Sequence, residues 1–361
     1  MESKQIAIIA VVIVAIAAIA GAFVLTQGGH NDEPGEITDA YGNVIKLDKI
    51  PERIVSTTVT ATENICDLGL RANLVGVSLN SHVYEVTSKV TGVPLSFDYP
   101  ATIEAEIESG KLATVGTSNN WTAESVAKCN PELVVIDMNQ ISTAETLARM
   151  TQLQSLGITC CVLSSENTWK DINSNITLLG ELFGKQTRAK EIVNAANHAD
   201  KAIKDAVGKV SGLKAAHICF CWGSYYIYNE SGPMNVMLDL GCTNALPTSS
   251  SFATITTEAI LEANPDLIIF DDMATNLNWT DVIAEWKADD IMGNVNAIKN
   301  NNFYCMEYQP FQATSYTTIH YVMGEAMVAT AIAHEKLGID LPNIITSAKW
   351  IDYISWLDDK I

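Results

Sequence analysis

TAESVAKCNPELVVID, from Thr122 to Asp137, returns 134 residues further on as TTEAILEANPDLIIFD, from Thr256 to Asp271, without a gap. Thr, Glu, Asn, Pro, Leu and Asp are identical, and most other positions exchange like for like. Each copy has the grammar of an α/β unit. A Thr suited to the N-cap opens a short stretch of helix formers, Glu124 to Lys128 and Glu258 to Glu262. Asn130-Pro131 and Asn264-Pro265 end it, because proline cannot continue a helix. Leu133–Ile136 and Leu267–Phe270 follow as unbroken apolar runs, the pattern of strands buried on both faces of a parallel sheet. Asp137 and Asp271 come where those strands end, and in open α/β sheets ligands bind at the carboxyl ends of strands.

The likeness extends outward. Arg53–Thr57 reads as a strand, followed by a helix ending in Asp67-Leu68-Gly69 and a strand at Leu74–Val77. His217–Trp222 reads as a strand, followed by a helix ending in Asp239-Leu240-Gly241. After copy one come a helix, Ala144 to Leu156, and a strand, Thr159–Leu163; after copy two, a helix around Asp281 to Trp286 and a strand, Asn302–Met306. The first half carries about 38 extra residues before its copied Glu, a long insertion for a compact unit. Between the halves runs a helical pattern from Trp169 to Val207, with Ile172, Ile176, Leu179 and Ile192, Ala196, Ala199, Ile203 on one face. The expected fold class is therefore α/β: two similar lobes with parallel-type sheets, joined by one long connector helix, with a ligand cleft between them. The expected boundaries are 1–26 for an N-terminal membrane anchor or signal segment and 27–36 for a tether. The N-terminal lobe is placed at 37–165, the connector at 166–208 and the C-terminal lobe at 209–361.

The apolar run Ile6–Leu25 is twenty residues long and follows Lys4. That length spans a bilayer as a helix and exceeds an ordinary secretory core, while Ala20-Gly21-Ala22 leaves a cleavage site open. The expectation is an extracytoplasmic protein, anchored at the cell surface or released into the periplasm. The 361 residues carry 22 Lys+Arg against 42 Asp+Glu, a net charge of −20, which repels nucleic acid. None of the eight cysteines forms a CxxC pair, and Cys160-Cys161 and Cys219-x-Cys221 fall in strand-like runs, so buried free thiols are expected. No GxSxG, HExxH, Walker A or GxGxxG pattern occurs, and neither an enzyme nor a resident cofactor is expected.

Five segments in order resemble the class III solute-binding proteins of ABC importers, which take up cobalamin, haem and iron–siderophore chelates. They are ITDAYGNVIKLDKIPERIVS (37–56), TATENICDLGLRANLVGVS (60–78), NPELVVI, NPDLIIF and NVNAIKNNNFYCME (294–307). The resemblance covers roughly Ile37 to His334. It implies a function as the binding component that delivers a metal chelate to an ABC permease and ATPase complex. It also implies that Glu124 and Glu258, one per lobe, dock onto basic residues of the permease. The bland alternative for each is a first-turn Glu favoured by the helix dipole, worth about 0.3–1 kcal/mol.

Bulky chelates are held by aromatic faces, which offer large contact area at low entropic cost. By that resemblance Trp121, Phe252, Phe311 and Tyr84 are candidate ligand contacts, together with Trp222 and Tyr225 after the first strand of the second lobe. Core packing is the competing reading for each. No metal site formed by protein alone is expected, although His82 or Met273 has a place as an axial ligand to a chelated metal. Two alternatives share this fold. One is a zinc- or manganese-binding protein, which needs three or four converging ligands, and only six His are present. The other is a chelatase-like enzyme, for which His82 with Glu85 is the best pair in the chain.

Overall fold

The computed structural model describes residues 35–78, 99–137, 143–164, 168–221, 224–229, 232–250, 252–271, 277–307, 310–311, 313–315, 318–319 and 321–357. The apolar run 6–25, the tether to residue 34, His82, Tyr84, Trp222 and Met273 lie outside the described residues. Among the described residues no helix is long and apolar enough to cross a membrane. The chain divides into two units, Met1–Asn197 with Tyr316–Ile319, and His198–Ser315 with His320–Ile361.

Unit one opens on a hairpin of β1 (Glu36–Thr38) and β2 (Val44–Lys46). Asp39 organises it: its carboxylate accepts the amides of Tyr41 and Asn43, each at 2.9 Å, and of Val162 at 3.0 Å. The sheet is wholly parallel, in the order β5 (Ala113–Thr114), β4 (Leu74–Val77), β3 (Ile54–Ser56), β6 (Leu133–Asp137), β7 (Thr159–Leu163). Its helices are α1 (Val59–Asp67), α2 (Tyr99–Glu108), α3 (Ala123–Lys128) and α4 (Thr143–Ser155). One face of the sheet is sealed by a cluster that includes Val55, Val115, Trp121, Val126, Val134, Leu153 and Val162. Each fully buried aliphatic of this kind contributes roughly 1.5–3 kcal/mol of apolar transfer.

The helical pattern 169–207 forms two helices rather than the expected one. These are α5 (Trp169–Leu182) and α6 (Gln186–Val207). Gly184, at φ 61°, sits in the left-handed region between them, where a side chain would be strained. The first turn of α6 then folds back so closely that a Cβ added to Gly180 would lie 2.4 Å from Ala189 Cβ. The periodicity continues through the break, which is why the sequence reads as one rod. The division between the units falls inside α6, after Asn197.

Unit two has a sheet ordered β11 (Phe252–Ile255), β9 (Ser224–Tyr228), β8 (Lys214–Cys221), β12 (Leu267–Asp271), β13 (Phe303–Met306), β14 (Ile344–Ile345). Short β10 (Thr243–Asn244) lies beside the start of β8. The sheet is parallel from β8 to β14, but β9 runs antiparallel to both its neighbours, β8 and β11, so it is mixed rather than all parallel. Its helices are α7 (Pro233–Asp239), α8 (Thr257–Ala263), α9 (Trp279–Ala288), α10 (Asn296–Lys299) and α11 (Tyr321–Leu337). Ile218, Ile260, Ile268, Phe270, Trp279, Trp286 and Phe303 build the core on one face.

The two copies match down to single hydrogen bonds. Thr122 and Thr256 cap α3 and α8, their hydroxyls accepting the amides of Ser125 and Ala259. Asn130 and Asn264 both adopt the left-handed conformation, at φ 47° and 48°, a backbone state that asparagine tolerates better than most residues and that closes helices. The amides of Glu132 and Asp266 donate to the carbonyls of Arg53 and Lys214, both at 2.8 Å. The side chains of those same two cations return the contact: Arg53 Nη2 donates to Cys129 O at 2.5 Å, and Lys214 Nζ to Ala263 O at 2.9 Å.

Candidate functional site

Glu124 and Glu258 each occupy the second position of a capped helix, α3 and α8, and both are exposed. Their local electrostatics differ. Glu124 meets Lys128 Nζ at 2.8 Å, and that hydrogen bond and charge hold its carboxyl below the usual carboxylate range. Glu258 is also held low, by its own backbone N–H and by the Thr256 and Thr257 hydroxyls, while Asp289 opposes the shift. The position four residues on is Glu262, so no cation matches Lys128 there.

The aromatic candidates separate by strand face. Successive residues of a strand point to opposite sides. Tyr225 therefore joins Ile218, Phe270 and Trp286 on one face, where Trp286 Nε1 donates to its hydroxyl at 2.7 Å. Tyr226 and Tyr228 point the other way. There Phe252, register partner of Tyr228 on β11, stacks on Tyr226 with centroids 4.6 Å apart and planes 3° apart, and meets Tyr228 at 4.9 Å. Tyr228 stacks in turn on His217 at 4.5 Å and 15°, and His217 meets Phe311 at 5.8 Å. Tyr226, Phe252, Tyr228, His217 and Phe311 are thus one continuous aromatic wall. Tyr226, Phe252 and Tyr228 are half-buried, whereas His217 and Phe311 are buried.

Two of the aromatics named from the sequence, Phe252 and Phe311, belong to this wall. Trp121 does not: it is 0% exposed within the core of unit one, with the Arg149 guanidinium 5.0 Å from its ring centre. Tyr225 is likewise in core packing, as described. Tyr84, Trp222, His82 and Met273 lie outside the described residues. In the sequence Tyr226 and Tyr228 follow the first strand of the second lobe alongside Tyr225, and His217 reads there only as the start of a buried strand. Strand alternation alone separates Tyr226 and Tyr228 from Tyr225, but nothing local says which set joins Phe252. His217 Nε2 lies 2.5 Å from Asp271 Oδ2, both side chains sealed from solvent. Asp271 was noticed only as the end of a repeated strand.

Among the described residues, one group of three acidic or sulfur or imidazole side chains closes to metal-ligating distance: Asp200, Asp239 and Glu325. Lys204 already supplies a cation there, with Nζ 2.7 Å from Asp200 and 2.6 Å from Asp239. Burial opposes the charge on Lys204, but its hydrogen bonds to these two carboxylates raise its pKa overall.

The seven described cysteines, Cys66, Cys129, Cys160, Cys161, Cys219, Cys242 and Cys305, are free and buried, as their apolar settings predict.

Known proteins share this fold. The chain is 25% identical over 243 residues to an uncharacterized ABC transporter substrate-binding lipoprotein, YvrC, of Bacillus subtilis, covering 66% of this chain and 69% of that protein. It is 23% identical over 252 residues to a cobalamin-binding protein of Halobacterium salinarum, covering 67% of this chain and 60% of that one. Among solved structures, the catecholate-siderophore binding protein VctP of Vibrio cholerae superposes with a TM-score of 0.62 at 18% identity, covering 83% of this chain and 99% of that one. The petrobactin-binding protein YclQ of Bacillus subtilis superposes with a TM-score of 0.61 at 17% identity, over 86% of this chain and 100% of that one. At such identity these structures establish the fold. The family described as periplasmic binding protein matches residues 54–310, well over half the chain, and its members are solute-binding proteins rather than enzymes. The chain belongs to the periplasmic binding protein family.

Proposed function

We propose that the protein is the extracytoplasmic substrate-binding component of an ABC importer, and that its cargo is a bulky metal chelate of the cobalamin, haem or iron–siderophore kind. The observation that carries this reading is the aromatic wall of unit two, half-buried at Tyr226, Phe252 and Tyr228, which joins Phe252 to Phe311 through Tyr228 and His217. Stacked rings suit a large ligand with planar or apolar faces. Two of the relatives named above support the same class, one described as cobalamin-binding and one as petrobactin-binding. Glu124 and Glu258 dock the loaded protein onto a basic permease surface. The net charge of −20 steers that encounter. The apolar run Ile6–Leu25 holds the protein at the membrane.

Native mass spectrometry of the detergent-solubilised full-length protein tests the reading. Cyanocobalamin, haem and ferric petrobactin are offered beside Zn²⁺ and Mn²⁺. One of the chelates is expected to give a 1:1 complex. Retention of a bare metal ion alone would refute the chelate assignment.

A further inference from the structure

His217 occupies a strand position between Ala216 and Ile218, in a sheet interior that otherwise takes apolar side chains. By strand register its counterpart in the first copy is Ser56: Ser56 pairs with Val135 on β6, and His217 pairs with Ile269 on β12, the repeat equivalent of Val135. Ser56 needs only the Thr62 hydroxyl, 2.6 Å away. Unit two has instead placed an imidazole here and sealed it against a carboxylate.

Burying such a pair carries a desolvation penalty that the mutual contact at best offsets, and an apolar pair of equal volume commonly serves stability better. Neither His217 Nδ1 nor Asp271 Oδ1 has a hydrogen-bond partner among the described residues, so the desolvation is only partly compensated. Stability alone does not account for the pair. Direction does. Asp271 is held by parallel pairing to β8 on one side and β13 on the other, so its carboxylate has a fixed origin. Its contact with Nε2 fixes the rotation of the imidazole, and the imidazole lies flat against Tyr228, with planes 15° apart. The Tyr228 ring in turn touches Phe252, whose ring is parallel to Tyr226.

We propose that His217, locked by Asp271, is a positioning residue for ligand capture: it sets the plane of Tyr228 and thereby aligns the Tyr226–Phe252–Tyr228 face on which the planar or apolar side of the ligand lies. This inference rests on the reading that the wall receives the ligand. Preorganised aromatic contacts lower the ordering cost of binding, so losing the brace weakens affinity without removing any ligand contact.

A double-mutant cycle on the full-length protein tests it, with haem, cyanocobalamin and ferric petrobactin titrated separately by quenching of intrinsic fluorescence. For the probe that binds, Tyr228→Ala is expected to weaken affinity by about tenfold, the scale of a well-packed aromatic contact. His217→Ala is expected to do nearly the same in the wild-type background and to change affinity by less than about twofold once Tyr228 is Ala, the limit of additivity error. Asp271→Leu should behave like His217→Ala. Asp271→Asn, which still accepts from Nε2, should stay within about twofold of wild type. Should His217→Ala fail to fold, His217→Gln reaches Asp271 without supplying a ring and completes the same cycle.

Equal losses from the His217 substitution in both backgrounds overturn the proposal, because they mean general loosening rather than support of Tyr228. Unchanged affinity in the folded His217 variant, or in Tyr228→Ala, overturns it as well. If no probe binds the wild-type protein, the chelate reading itself fails and takes this inference with it. If a probe binds and the cycle is additive, only the positioning role falls.

Discussion

Glu124 and Glu258 hold the same position on matching helices, yet Glu124 is bonded to Lys128 at 2.8 Å while Glu258 has Glu262 at the corresponding place. An exposed pair of this kind is worth little in stability. It nonetheless occupies the carboxylate that a partner's cation would need. Glu258 is therefore expected to carry more of the docking than Glu124.

In cells, Glu258→Gln should reduce chelate uptake more than Glu124→Gln, and the double charge reversal Glu124→Lys with Glu258→Lys should abolish it. Ligand affinity of each purified variant should match wild type. Lys128→Ala should leave uptake equal or raised. Uptake that survives the double reversal would show that these carboxylates do not face the permease.

Buried thiols make stability fall at high pH. Burial, with a smaller contribution from the Asp39 charge, pushes Cys160 from the ordinary 9.0 up to about 12; burial pushes Cys242 up to about 11 and Cys305 well above 9.0. A group whose folded pKa is raised gives its full contribution below the unfolded pKa and loses it as pH rises towards the folded one. The unfolding midpoint in urea should therefore decline between pH 9 and about 11 to 12. Iodoacetamide at pH 8 should label none of the seven described cysteines in the native protein and all of them in urea, as peptide mapping would show.

The close approach of α5 and α6 leaves no room for a methyl group at Gly180, because Ala189 Cβ lies 2.4 Å from where it would stand. Gly180→Ala should cost about 1–3 kcal/mol as overpacking and lower Tm by several degrees. Ala189→Gly in the same chain should recover most of that loss in calorimetry. Additive effects of the two substitutions would mean that the helices do not meet at this point.

Arg53 donates to two carbonyls at the end of α3, Asn130 O at 2.8 Å and Cys129 O at 2.5 Å, while Lys214 donates to one at the end of α8. Arg53→Ala is expected to destabilise by about 1–2 kcal/mol, and Lys214→Ala by less, in denaturant titrations. Arg53→Lys should restore part of the difference. Equal losses at the two sites would deny the second hydrogen bond its role.

Much of the fold could be read from local signals. The cap threonines, the Asn-Pro stops and the apolar runs act within a few residues of themselves, so the helix and strand of each copy lie where the repeat places them. The buried thiols follow from the same runs. The break at Gly184 was hidden because a tight turn of three residues barely disturbs helical periodicity. The reversed strand β9 was hidden because a strand's apolar pattern does not state its direction.

The aromatic residues of the proposed site were legible in the sequence, but not which of them meet. Of the aromatics expected from the sequence, Phe252 and Phe311 stand in the stacked wall of unit two, whereas Trp121 and Tyr225 pack in cores. The hydroxyl of Tyr225 finds Trp286, 61 residues away, and His217 finds Asp271, 54 residues away. Those meetings depend on strand register and on which segments pack on each face.

By itself the sequence determined that this protein is built from two α/β units sharing one helix–strand element, because capping, breaking and burial on both faces are decided by neighbours along the chain. Only the tertiary structure decided that Tyr226 and Tyr228, rather than Tyr225, join Phe252, and that a histidine–aspartate pair stands behind them. Alternation offers two faces of equal standing, and distant segments packing on one of them make the choice.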